Sequence, residues 1–281
     1  MGGRVEHTTL VSCAYGHAVT LELFPHAVLR QSSKVTGGRP ARLVNTVRGK
    51  ITDLSKHSAS RLREFLTTWW VPDRQRVMAW SFTIKRPVTP AEWRQLWQCW
   101  RNKANRQGAA AVYRVELQKR KVPHVHMTAW MPNRGEELCQ QQELFTDGWL
   151  DTITPKQPDG RRIYDAGEMH HAVKGRLVED HGAWAIYESL HSSKKGQSGW
   201  VGKQWGIIGR RYFKRRESVQ LELTLPQYWA FRRIVSRWLR SKGTRHCGLP
   251  AHGKWLRCIP SDVSKRIVDF VSQPVAAVER Q

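Results

Sequence analysis

A chain of 281 residues is long enough for one large domain or two small ones, and its 40% hydrophobic content suffices for a packed core. Its 47 lysines and arginines against 23 acidic residues leave a formal charge of +24, which points to nucleic acid and, with no lipid-anchoring signal, away from a membrane surface. No apolar run approaches the roughly 18 residues of a membrane span, and five cysteines with no CxxC spacing fit a reducing cytoplasm.

Residues 1–50 are poorly patterned and read as a basic N-terminal segment, with QSSKVTGGRPAR (31–42) as a loop. SASRLREFLTTWW (58–70) predicts a helix, with Leu62, Phe65 and Leu66 at helical spacing behind capping serines. After a turn, VMAWSFTIK (77–85) predicts a strand closed by Pro87. A helix over 89–107 has Thr89 as N-cap, Pro90 at the first helical position and Glu92 three residues after the cap, with Trp93, Leu96 and Trp100 as its apolar stripe. AAVYRVELQ (110–118) and PHVHMTAWM (123–131) are two strands joined by KRKV. Residues 133–182 are polar and carry no clear period. A helix is expected over 182–195, then a Gly-punctuated basic segment, a strand over 218–225 and a helix over 226–241. This divides the chain into the N-terminal segment, a central domain over 51–216 and a basic, mainly helical C-terminal region over 217–281.

Alternate residues of a strand share a face. Trp80, Phe82 and Ile84, Tyr113, Val115 and Leu117, and Val125, Met127, Ala129 and Met131 make one apolar face; Ser81, Thr83 and Lys85, Arg114, Glu116 and Gln118, and His124, His126, Thr128 and Trp130 make the other. The fold expected is α+β: a central antiparallel sheet with helices on one face and a metal and DNA site on the other.

His124 and His126, two residues apart on the polar face, can share one divalent metal. An odd hairpin loop centred on Arg120 opposes Glu116 to His124 and supplies a carboxylate as third ligand; an even loop turns Glu116 into the core. Two imidazoles and a carboxylate leave coordination positions for substrate, and Mg²⁺ or Mn²⁺ polarising a phosphate is the use expected.

Such a metal serves either hydrolysis or covalent transfer. In the helix expected over 182–195, Tyr187, His191 and Lys194 recur at i, i+4 and i+7 as one polar stripe. Holding a tyrosine as phenolate at pH 7 costs about 4 kcal/mol, which a metal-bound phosphate and the cation of Lys194 or Lys195 can offset. Tyr164, Tyr212 and Tyr228 are rival nucleophiles.

The order MAWSFTIK, YRVELQKRKVPHVHM, IYESLHSSKKGQ and GKQWGIIGRR, over roughly residues 50–216, resembles the HUH endonuclease superfamily, and more narrowly the rolling-circle replication initiators of filamentous phages and related plasmids. The resemblance implies His124, His126 and Glu116 as metal ligands and Tyr187 as the nucleophile. It implies a 5′-phosphotyrosine, a free 3′-OH and rejoining by the reverse step. Many relatives carry a second tyrosine four residues on; here that position is His191, which implies a single-tyrosine enzyme. A transposase or relaxase shares this chemistry, and a non-catalytic basic nucleic-acid-binding protein is the alternative of another class. The partners expected are single-stranded DNA or an origin hairpin, with host replication proteins, and no membrane. Trp200, Trp205 and Tyr212 among Lys203, Arg210, Arg211 and Lys214 suit stacked bases and phosphates; Lys85 and Arg114, on the polar strand faces, join them as DNA contacts.

Overall fold

The computed structural model describes residues 19–25, 27–30, 54–118, 120–163, 171–179, 184, 204–241, 255–259, 263, 266–267 and 269–270. The chain divides into two units, one of residues 38–217 with 258–260, the other of 1–37, 218–257 and 261–281.

In the first unit, helix α1 (Lys56–Thr68) is capped by the Ser55 hydroxyl, which accepts from the Ser58 amide at 3.1 Å. It stops two residues before the expected end. The Thr67 and Thr68 hydroxyls donate back to the Arg63 and Glu64 carbonyls, and Trp69–Trp70 becomes the short strand β3. Strand β4 (Arg76–Thr83), helix α2 (Pro90–Arg106), strand β5 (Ala110–Leu117) and strand β6 (Pro123–Met131) follow within two residues of expectation. Thr89 caps α2 by accepting from the Glu92 amide, but the Glu92 carboxylate turns to Arg86 at 2.6 Å, so the reciprocal half of the capping box gives way to an ion pair.

The unpatterned stretch after β6 contains helices α3 (Glu136–Phe145) and α4 (Asp147–Ile153) and strand β7 (Val173–Leu177). Strand β8 (Trp205–Ile208) leads through a 3-10 turn (Arg210–Tyr212) to strand β9 (Lys214–Arg215), which pairs with β3. The main sheet is antiparallel with order β7-β4-β6-β5-β8.

Both faces of this sheet carry helices. On one, Trp80, Phe82, Tyr113, Val125 and Met127 pack against Trp93, Trp97 and Trp100 of α2 and Phe145 and Trp149 of α3 and α4. The aromatic rings interlock, with Trp97 and Trp100 stacked at 5.3 Å and Trp100 edge-on to Phe145 at 5.6 Å. The Trp149 indole donates to the Thr83 carbonyl at 3.3 Å, which ties this core to the end of β4. On the other face, Leu62, Phe65 and Leu66 of α1 cover Val77, Val112, Trp130 and Phe213. The face expected to be open is therefore buried at one end; Trp130, sorted there as polar-side by alternation, is 2% exposed. Among the described residues of this face, Ser81, Thr83, Arg114 and Glu116 gather at the end bearing the histidines.

Gly209 makes the corner between β8 and the 3-10 turn. Its φ is +65°, and a Cβ there would collide with the Ala109 carbonyl oxygen. Backbone cannot yield as a side chain can, so Gly209→Ala is expected to lower stability by about 2 kcal/mol or more, read as a lower urea midpoint at unchanged slope.

In the second unit, strands β1 (Val19–Phe24) and β2 (Ala27–Arg30) form a sheet of order β10-β1-β2-β11 with β10 (Val219–Leu223) and β11 (Trp255–Cys258). The N-terminal segment and the C-terminal region, separate in the sequence reading, thus share one sheet through the register Val19↔Leu223 to Leu23↔Val219. Helix α5 (Leu225–Ser241) buries Tyr228, Phe231, Val235 and Leu239, one stripe at helical spacing. At its start the Gln227 side chain accepts from both the Thr224 amide and the Thr224 hydroxyl, each at 2.9 Å, which is half of a capping box.

Candidate metal centre

The β5–β6 hairpin positions the group. Gln118 and Val122 pair by a 2.9 Å amide-to-carbonyl bond, and the Lys121 amide donates to the Gln118 carbonyl at 2.8 Å, so the connection is the odd loop centred on Arg120. The register that follows opposes Glu116 to His124 and Arg114 to His126. Lys121 closes the loop at φ 64°, a conformation that favours glycine. Lys121→Gly is expected to stabilise the protein by about 0.5–1 kcal/mol, seen as a higher melting temperature with the metal group intact.

Glu116, His124 and His126 converge, with ligand atoms that all lie within 4.8 Å of one another. The imidazole centroids are 4.5 Å apart at 83°. Two ligands with about 2.1 Å bonds to one octahedral ion lie roughly 3–4.2 Å apart, so small side-chain rotations close the group on a cation. Glu116 is buried, and one oxygen, Oε1, lies 3.1 Å from His126 Nε2. The other, Oε2, accepts from Arg114 Nη2 at 3.3 Å.

Arg114 is 1% exposed and is paired with Glu116 rather than presented at the surface. Expected as a DNA contact, it instead neutralises and orients the buried carboxylate. His124 is oriented from the other side: its Nδ1 is 2.7 Å from the Thr83 hydroxyl and 3.3 Å from the Gln118 amide nitrogen, which also donates to Thr83 at 3.1 Å. The Thr83 hydroxyl serves either tautomer; the one that donates from Nδ1 leaves the lone pair on Nε2, the usual outer support of a metal-binding imidazole.

Beside the group opens a cleft of about 540 Å³ lined by Ser81, Thr83, Gln118, His124 and His171, with Lys85, Arg120 and Lys174 at its walls. Arg120 is strapped in place, donating to the Lys85 and Ile84 carbonyls at 3.1 and 2.8 Å and to Gln118 Oε1 at 2.8 Å. Three cations around one cleft focus a positive potential on it and favour a phosphate there. The sequence places Thr83 and Gln118 on the polar face and Arg120 at the loop centre without giving them a role in the site, and His171 and Lys174 went unnoticed. Polar alternation along β4 is a visible signal for Thr83; His171 and Lys174 come from a segment with no period.

The remaining expected residues separate. Trp205 lies opposite Arg114 in the sheet, next to the group. Arg210, Arg211, Tyr212 and Lys214 lie at the other end, where the corner meets Ala109; Glu116 is six residues along β5 from Ala110, about 20 Å away. Tyr187, His191, Lys194, Trp200 and Lys203 fall outside the described residues, as does Tyr164. The nearest described neighbour of Tyr187 is Trp184, whose indole donates to the Thr128 hydroxyl at 2.7 Å and carries the Arg176 guanidinium 4.8 Å from its ring centre. Thr128 shares a face of β6 with His124 and His126. The other described tyrosines are poor rivals. Tyr113 faces the apolar core, and burial pushes its phenol above the ordinary value against the pull of Arg101. Tyr212 is at the far end of the sheet, and Tyr228 is buried in the other unit.

Compared with protein-family models, curated proteins and solved structures, the chain matches none. No described helix is long and apolar enough to cross a membrane.

Proposed function

We propose that this protein nicks and rejoins single-stranded DNA at a specific site through a 5′-phosphotyrosine, with Mg²⁺ or Mn²⁺ held by Glu116, His124 and His126, as an initiator of rolling-circle replication of a phage or plasmid. The observation that carries the reading is the convergence of two imidazoles and one carboxylate at the edge of a cationic cleft. The donor set suits a divalent ion with open positions, and the ion, when bound, acts as a Lewis acid on a phosphate oxygen.

The chain's own residues supply the rest. Lys85, Arg120 and Lys174 attract the DNA backbone into the cleft, and Trp205 offers a ring on the other side of the metal group, opposite Arg114. Tyr187 is the nucleophile: its hydroxyl loses a proton and its oxygen attacks phosphorus, the bond to the 3′ oxygen breaks, and that oxygen leaves as a 3′-OH. The phosphodiester is exchanged rather than hydrolysed, so rejoining is the reverse step and needs no nucleotide triphosphate. His191 and Lys194 are the groups expected to hold the proton and the charge of the phenol. Trp184 supports this assignment. Residue 187 is three peptide units from it, so their Cα atoms lie no more than about 11 Å apart, and Trp184 is bonded one alternation from His126 on the same face.

The test is incubation of the full-length protein with a library of single-stranded oligonucleotides and Mn²⁺. The reading requires an SDS-resistant protein–DNA adduct that EDTA prevents. Cleavage that is metal-dependent but leaves no adduct overturns it in favour of hydrolysis.

A further inference from the structure

The β3–β9 ribbon stands at the end of the sheet away from the metal group, and it repeats one arrangement. The Arg210 guanidinium lies 3.9 Å from the centre of the Trp69 ring, and that of Arg216 lies 5.4 Å from the centre of Trp70. Trp69 is backed by Phe65, parallel within 10° at 5.4 Å, so it cannot collapse inward. Both indoles remain half-exposed, and Lys214 and Arg215, paired with them across the ribbon, are exposed. Arg216 Nε is buried with no hydrogen-bond partner among the described residues, and burial lowers the pKa of the group from its ordinary value. Among the described residues, no carboxylate pairs with Arg210, Lys214 or Arg216. The surface therefore presents half-exposed indoles flanked by guanidinium planes, on which a base can stack in turn.

We propose that the ribbon, through Trp69, Trp70, Arg210, Lys214, Arg215 and Arg216, is a second docking surface for single-stranded DNA, about 20 Å from the metal group. The proposal rests on the DNA-nicking reading for its substrate. An acidic peptide satisfies the cations but leaves the indoles uncovered. Duplex DNA presents phosphates but hides its base faces in the stack. A single strand brings a phosphate and a π-face at every step, and each base stacked on an aromatic ring strengthens binding about 5- to 150-fold. A strand held at both ends of the sheet is fixed in direction across the cleft, which selects which phosphodiester meets Glu116, His124 and His126.

The experiment measures binding of a fluorescein-labelled oligothymidylate to the full-length protein by anisotropy, in EDTA and across a salt series. No chemistry is required, so the result is independent of whether the protein nicks DNA. Trp70→Ala is expected to weaken binding about tenfold or more. Lys214→Glu with Arg215→Glu, two exposed positions whose change leaves the core untouched, is expected to weaken it similarly and to lower the slope of log affinity against log salt by about 1.4. Arg94→Glu with Arg106→Glu removes the same charge from exposed positions on α2 and is expected to stay within about twofold of the unmodified protein. Equal weakening by the two charge-reversed pairs reduces the effect to net charge and overturns the proposal. So does retention of full affinity by the Lys214/Arg215 pair.

Discussion

Replacing Glu116 with alanine is expected to destabilise the protein by about 3–5 kcal/mol, well beyond the loss of one carboxylate's packing. Glu116 has two duties in the fold. It faces His126 with one oxygen and the buried Arg114 with the other. Removing it leaves a guanidinium at 1% exposure without its carboxylate, and water cannot reach in to compensate. The two duties are separable. In a double variant, Arg114→Leu with Glu116→Leu, the charge problem vanishes along with the pair, and stability is expected to recover to within about 1–2 kcal/mol of the parent while metal binding stays lost. Urea denaturation of the parent, the single and the double variants reads the coupling. A single variant as stable as the parent contradicts the pairing of Arg114 with Glu116.

Tyr187→Phe is expected to abolish the covalent adduct altogether and to lower nicking at least about 10⁴-fold, while leaving metal binding as it is. The change removes one oxygen and nothing else, so a general loss of fold does not account for such a result; the thermal melt of the variant should match the parent. An adduct that persists in Tyr187→Phe moves the nucleophile to Tyr164. An adduct lost instead in Tyr212→Phe contradicts the geometry, since Tyr212 sits by Gly108, at the opposite end of β5 from Glu116.

The hairpin explains why so much of the metal group was legible in the sequence. Period-two alternation in AAVYRVELQ and PHVHMTAWM fixes which side chains share a face, and the absence of glycine in KRKV argues against the two-residue turn that would have turned Glu116 inward. Register then follows from loop parity, and Glu116 does oppose His124. What surrounds the group was hidden for two reasons. Alternation reports sidedness, not cover, so the half of the polar face that α1 buries, with Trp130 under it, looked open. Arg114 looked like a surface cation because a buried arginine and an exposed one have the same period; only the neighbouring carboxylate tells them apart.

The second unit was illegible for a different reason. VTLELF at 19–24 finds its partner at 219–223, across nearly the whole chain, and no local pattern encodes a pairing of that range. Helices α3 and α4 were missed because α3 is crowded with Glu and Gln and α4 is only 7 residues long, which masks the stripe of Leu144, Phe145, Trp149 and Ile153 in the core.

Three side chains sharing one cation underlie the proposed chemistry, and titration of the full-length protein with Mn²⁺, followed calorimetrically and by the loss of the free-ion paramagnetic signal, measures that directly. A single saturable site is expected, absent in both His124→Ala and His126→Ala although each variant melts like the parent. A Mn²⁺ site of unchanged affinity in either variant, or no site in the parent, contradicts it.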